Sequence, residues 1–258
     1  MMHSEAMLII YVHDLHTSYG AVEAVKGVSF EVLKGEVFGL LGPNGAGKTT
    51  ILETIEGLRP LQRGSVLVNG IDVAADPVRV HRLIGVQLQH VAFFDRLTLE
   101  ELLHLFGELY GTRTDPTTLL TQVGLLKQRK MYVKNLSGGQ RQRFSIAAAL
   151  VNDPVVVFLD EPTSGLDPQA RHSVWELVRA AKRRGQAVVL TTHYIEEAEA
   201  LCDRVAIIDE GRIVALDTPA VLIHRLLETG FKREVEIAPA TLEDVFLHLT
   251  GRTLREDV

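Results

Sequence analysis

Val37-Phe38-Gly39-Leu40-Leu41-Gly42-Pro43-Asn44-Gly45-Ala46-Gly47-Lys48-Thr49-Thr50 is the stretch on which the reading of this chain turns. Its first five residues are an apolar run too short for a helix, as expected of a strand buried on both faces. The next eight, Gly42 to Thr49, fit G-x-x-x-x-G-K-[S/T]. Glycines let the backbone wrap an anion with its N–H groups turned inward. The helix that follows offers its free N-terminal N–H groups to the same anion. From this position Lys48 reaches the β- and γ-phosphates of a nucleotide, and the Thr49 hydroxyl ligates Mg²⁺. Strand, glycine loop and helix in that order predict nucleotide binding and leave its purpose open.

A second apolar run, Val155–Leu159, ends in Asp160-Glu161. Ligands of open α/β sheets sit at the carboxyl ends of the strands, which places both acids near the glycine loop. Adjacent strand residues point to opposite faces, so the two carboxylates are expected to have different tasks. Asp160 is the candidate Mg²⁺ ligand and Glu161 the candidate general base for an attacking water.

Ala187–Leu190 and Val205–Ile208 read as further buried strands. Helical signals lie between the strands. Thr98 opens a T-x-x-E capping box, followed by Leu99, Leu102, Leu103 and Phe106 at helical spacing. Phe144, Ala147, Ala148 and Val151 repeat that spacing. So do Val174, Leu177, Val178 and Ala181, with Asp167 as N-cap, Pro168 in the first turn and Gly185 as stop. The alternation predicts an α/β phosphate-loop NTPase with a mostly parallel core sheet. Leu8–Val12 and Val25–Val32 are expected in an N-terminal antiparallel β subdomain, and residues 91–154 in an inserted helical subdomain. The main domain is expected over residues 1–230 and a separate tail over 231–258. That tail holds a short amphipathic helix with Leu242, Val245, Phe246 and Leu249 on one face.

Composition sets the outer bounds. The 258 residues are 46% hydrophobic and 23% charged, as in folded globular proteins. The net charge of -6 disfavours nucleic acid as a partner. One cysteine, Cys202, leaves no internal disulfide, and it reads as a small packed residue near a helix end. No apolar run approaches the roughly 18 residues of a membrane helix. The N-terminus lacks the pattern of a signal peptide, so a cytoplasmic protein is expected.

Leu136-Ser137-Gly138-Gly139-Gln140 narrows the class. Ser137 suits an N-cap, and the two glycines open a helix able to grip a phosphate. The segment resembles the signature sequence of ABC transporter ATPases. That resemblance spans roughly residues 8–225 and implies that this helix serves the ATP of a second copy. It further implies that Tyr19 stacks on adenine and that Gln89, two residues beyond Gln87, touches Mg²⁺ and water. His193 is similar to the family's γ-phosphate switch histidine, and Ser164-Gly165-Leu166-Asp167 to the loop joining the two sites. The implied nucleotide contacts are Tyr19, Gly42, Pro43, Asn44, Gly45, Ala46, Gly47, Lys48, Thr49 and Thr50, with Ser137, Gly138, Gly139, Gln140 and Asp167. The implied catalytic set is Glu161, His193, Gln89 and Lys48, and the metal set Thr49, Gln89 and Asp160.

The expected protein is therefore an ATP- and Mg²⁺-using ATPase that forms a homodimer and powers separate integral membrane permease subunits from the inner face of the cell membrane. The segments Tyr194–Arg204 and Thr241–Gly251 are similar to the drug, lipid and polysaccharide exporter branch. The acidic run Glu196, Glu197 and Glu199 reads as a solvated helix face. The alternatives are an ABC ATPase acting on nucleic acid or another soluble partner, and a nucleotide-binding module without catalysis.

Overall fold

The structure is a computed structural model that describes residues 7–89, 91–231 and 240–251. Met1–Ala6, the first half of the N-terminal stretch that lacks a signal-peptide pattern, and much of the expected tail lie outside the described residues.

Two long strands, β1 (Leu8–Tyr19) and β2 (Val22–Leu33), form an antiparallel hairpin. The register shifts where Asp14 takes φ 47°, which is why the apolar pattern expected to end at Val12 breaks although the strand continues. Next come β3 (Val37–Leu41), helix α1 (Lys48–Ile55), β4 (Arg63–Val68), β5 (Ile71–Asp72), α2 (Pro77–His81) and β6 (Ile84–Gln87). Three helices follow: α3 (Leu99–Tyr110), α4 (Pro116–Gln122) and α5 (Gly138–Ala149). The chain then alternates through β7 (Val156–Asp160), α6 (Pro168–Arg183), β8 (Ala187–Thr192), α7 (Ile195–Leu201) and β9 (Arg204–Asp209). It continues with β10 (Arg212–Asp217), α8 (Pro219–Glu228) and α9 (Leu242–Thr250).

The strands make two sheets. One is antiparallel, in the order β2-β1-β4-β5. The other runs β10-β9-β3-β8-β7-β6, parallel except for β10. The fold is thus α/β, with a mostly parallel core sheet and an N-terminal antiparallel sheet.

Alternation along the central strands explains the layering. Phe38 and Leu40 of β3, Val156 and Phe158 of β7 and Val189 of β8 face a core shared with α1 and the antiparallel sheet. Val37 and Leu41, Val157 and Leu159, and Val188 and Leu190 face the opposite core, shared with α3 to α7. A period of two with apolar residues on both faces reads in sequence as an unbroken apolar run.

Helix ends follow their chemistry. Thr98 caps α3 through a capping box with Glu101, and Asp167 caps α6 by accepting from Ala170 N–H. The spacing that carried α5 to Val151 overshoots. The helix stops at Ala149, because Asp153 at φ 47° and Pro154 turn the chain away. Helix α9 packs on α7, α8 and β10 of its own chain, burying Leu242, Val245 and Phe246 while Leu249 stays exposed. Among the described residues no helix is long and apolar enough to cross a membrane.

Candidate active site

The glycine loop joins β3 to α1. Gly47 has φ 104°, and a Cβ there would lie 2.7 Å from the Ala24 carbonyl oxygen, so this position admits glycine alone. It is the N-cap of α1 and supplies no side-chain hydrogen bond, which leaves the first-turn N–H groups for an anion. Lys48 is 4% exposed, and its Nζ donates to the carbonyls of Gly42 at 2.8 Å and Pro43 at 3.1 Å. Burial lowers its pKa, and Glu161 and Asp160 oppose that shift.

Asp160 ends β7 and is buried. Its carboxylate accepts from the Thr49 hydroxyl at 3.0 and 3.2 Å and from the Thr191 hydroxyl. Burial raises its pKa against those two hydrogen bonds. The expectation that Asp160 and Glu161 divide their tasks by pointing to opposite strand faces fails on its reason. The strand ends at Asp160, and Glu161 turns to φ 47° with its N–H on the Thr191 hydroxyl at 2.9 Å. The Glu161 carboxylate then lies 3.3 Å from His193 Nδ1 and 3.4 Å from Lys48 Nζ. A hydrogen bond from His193, with Lys48 nearby, holds its pKa below the ordinary carboxylate value against burial.

A pocket of about 360 Å³ is lined by Tyr19, Ala24, Asn44, Gly45, Gly47, Lys48, Thr49, Thr50, Gln89 and Glu161. Gly42, Pro43 and Ala46 form the loop behind it, and His193 stands behind Glu161. Asp160 lines an adjoining space of about 220 Å³ with Thr49, Gln89 and Glu56. Gln87 is buried within β6, so the two glutamines differ: Gln89 faces the pocket and Gln87 the strand. Arg59, which sequence did not single out, stacks its guanidinium 4.2 Å from the Tyr19 ring centre and pairs with Glu53.

Ser137, Gly138, Gly139 and Gln140 line a different pocket, of about 380 Å³, with Arg143 and Asp167. Ser137 Oγ accepts from Gln140 N–H, and the Gln140 side chain returns a bond to Ser137 N–H. The two pockets share no lining residue, so within one chain these residues do not meet the glycine loop.

A nucleotide loop with two carboxylates at the ends of parallel strands defines a phosphate-loop ATPase, and the glycine-opened helix lines a separate pocket of the same chain. Residues 25–164 match the family model for ABC transporter. The chain is 43% identical over 251 residues to the doxorubicin resistance ATP-binding protein DrrA of Mycobacterium tuberculosis, covering 95% of this chain and 74% of that one. It is 36% identical over 291 residues to the Nod factor export ATP-binding protein I of Mesorhizobium japonicum, covering 93% and 86%. A solved ATP-binding subunit of an ABC transporter superposes with TM-score 0.81 at 30% identity, covering 93% of this chain and 99% of that one. A dimeric ATP-binding cassette in a post-hydrolysis state bound to ADP and Pi superposes with TM-score 0.74 at 25% identity, covering 81% and 98%.

The chain belongs to the ABC transporter family. It is an ATP-binding and ATP-hydrolysing subunit of that family, and its relatives support the transport reading over the non-transport alternative.

Proposed function

We propose that two copies of this chain close on two ATP molecules, each held between the glycine loop of one copy and the Ser137–Gln140 helix start of the other. The observation that carries this reading is the separation of the two pockets on one chain.

In this reading Tyr19 stacks on adenine, and residues 42–50 wrap the phosphates. Lys48 leaves the carbonyls of Gly42 and Pro43 to contact the β- and γ-phosphates. Ser137, Gly138, Gly139, Gln140 and Asp167 complete the site from the second copy. Glu161, kept ionised by His193 and Lys48, accepts a hydrogen bond from the attacking water and takes its proton. His193 holds Glu161 on one side and the γ-phosphate on the other, and Gln89 orients the water. Thr49 and Asp160 offer hard oxygen donors side by side, a pair that fits Mg²⁺, with Gln89 at the same wall. When bound there, Mg²⁺ neutralises phosphate charge that builds up during transfer.

Opening and closing of this pair drives integral membrane permease subunits, placing the chain at the inner face of the membrane and powering export. Leu88 and Phe94, exposed apolar residues in the segment around Gln89, support that segment as the docking face. The main domain is assigned to residues 1–230, with the helical insertion at 91–154 and the tail at 231–258.

Complementation tests the composite site. Lys48→Ala and Ser137→Arg chains are inactive alone. Mixed, they form dimers with one wholly intact site and regain Mg²⁺-dependent ATP hydrolysis. A mixture as inactive as its parts refutes the shared site.

A further inference from the structure

The acidic run expected to face solvent does not do so as a unit. Glu196 is exposed, but Glu197 is 1% exposed. Its Oε1 accepts a hydrogen bond from the Trp175 indole Nε1 at 3.0 Å. Oε2 makes no well-aligned bond. Burial raises its pKa, and the Thr192 and Thr163 hydroxyls, Trp175 and the charge of Arg171 act against that rise.

Trp175 is bonded to Glu197 directly, and the other groups that influence it come from three elements. Arg171 and Trp175 lie on α6. Thr163 is fully buried in the turn that follows Glu161. Thr192 ends β8, and its hydroxyl accepts the Tyr194 N–H at 2.9 Å, spanning His193. The Arg171 guanidinium sits 4.6 Å from the Tyr194 ring centre, and the Tyr194 and His193 rings are 4.1 Å apart. His193 in turn stands 3.3 Å from Glu161. The N-terminal part of α6 faces elsewhere: Asp167, Gln169, Ala170 and Ser173 line the pocket of the Ser137 helix start. One helix therefore lines the Ser137 pocket and, through Arg171, packs on Tyr194 beside His193, with Glu197 bonded to its Trp175.

From this geometry we propose that Glu197 is a positioning residue for ATP hydrolysis. It clamps the turn after β7, the turn after β8 and helix α6 into one unit, so that His193 faces Glu161 and the half-site at Ser137 is mechanically tied to that pair. The inference rests on the assignment of His193 and Glu161 to the reaction. A carboxylate buried this deeply needs its donor in place, so the Trp175 hydrogen bond holds α7 against α6.

A double-mutant cycle on the full chain tests this, with kcat and KM for ATP measured in Mg²⁺. Glu197→Ala is expected to lower kcat by about tenfold or more, as for a displaced catalytic group, with KM within about twofold. Glu197→Gln keeps the acceptor for Trp175 and recovers most of the rate. In a His193→Ala background, Glu197→Ala adds almost no further loss, because residues acting as a unit are not additive. A residue that only supports the fold would cost the same factor in both backgrounds, and that result overturns the proposal. So does a folded Glu197→Ala chain with parental kcat beside a collapsed His193→Ala chain. If Glu197→Ala does not fold, Trp175→Phe removes the indole donor and keeps an aromatic ring, and it carries the same cycle. Parental turnover by His193→Ala would instead remove the assignment on which the inference stands, and the inference with it.

Discussion

Lys48 shows how a buried cation waits for an anion. Its ammonium, deep under the loop, is held by two carbonyls and Glu161, none of which matches a phosphate in charge and acceptor capacity together. Lys48→Ala is expected to weaken ATP binding by about tenfold or more, the loss of a charge-assisted contact. Unchanged affinity in equilibrium binding would contradict the loop assignment. Glu56 is a second buried group, and it lies beside Asp160 with no route in sequence to its discovery. Burial, with Asp160 and Glu53 adding to it, pushes its pKa up to about 8. The folded chain therefore holds this proton more tightly than the unfolded chain. Between the ordinary value of 4.5 and about 8 the unfolded state binds fewer protons, so stability falls as pH rises. In the nucleotide-free protein, Glu56→Gln is expected to be more stable than the parent by roughly 3 kcal/mol at about pH 7. The advantage disappears below about pH 4, where the unfolded carboxyl is protonated too. Denaturant melts of both chains across pH measure the difference, and a constant offset would contradict the shifted pKa.

At the scale of elements, β6 and α5 are pressed together. A Cβ on Gly85 would lie 1.9 Å from the Ala149 carbonyl oxygen, so the end of α5 rests on bare strand backbone. Gly85→Ala is expected to cost about 1–3 kcal/mol by forcing the two apart. It should lower hydrolysis as well, since α5 begins at the Ser137 pocket and β6 leads to Gln89. Denaturation midpoints and turnover on one preparation check both effects. The same contact explains what sequence could and could not reveal. Strands β3, β7, β8 and β9 were legible because parallel strands with helices or a sheet on each side read as apolar runs. Strand β6 was missed: it is four residues long, and its glycine is chosen for the helix above it, not for strand propensity. Strand β10 is an edge strand with no fully buried residue and no such run. The glycine loop, the Asp160-Glu161 pair and the Ser137 helix start were legible because each is contiguous. Glu197 was not, since its partner Trp175 lies 22 residues away in sequence. One signal was present: Glu197 sits four residues before the buried Leu201, on the inner face of α7.

As a whole molecule, in the proposed pair, one chain presents two halves of two different sites. Removing the base while leaving the nucleotide in place should therefore stop the cycle with copies joined. Glu161→Gln is expected to bind ATP, lose turnover by a factor on the order of 100 or more, and migrate as a dimer in ATP and Mg²⁺ during size-exclusion chromatography. Brisk hydrolysis would remove Glu161 as the base, and a monomer in saturating ATP would count against the closed pair. The indole that binds Glu197 adds a practical consequence. Trp175 is the only tryptophan in the chain, it is 8% exposed, and it lies on the helix that lines the Ser137 pocket. The protein thus carries a native fluorophore at its central joint. Excited at the red edge of its absorption, that single ring emits without background from others of its kind. Its colour and intensity are expected to respond to the nearby carboxylate, so that steady-state emission with and without ATP reads this joint in solution with no label attached.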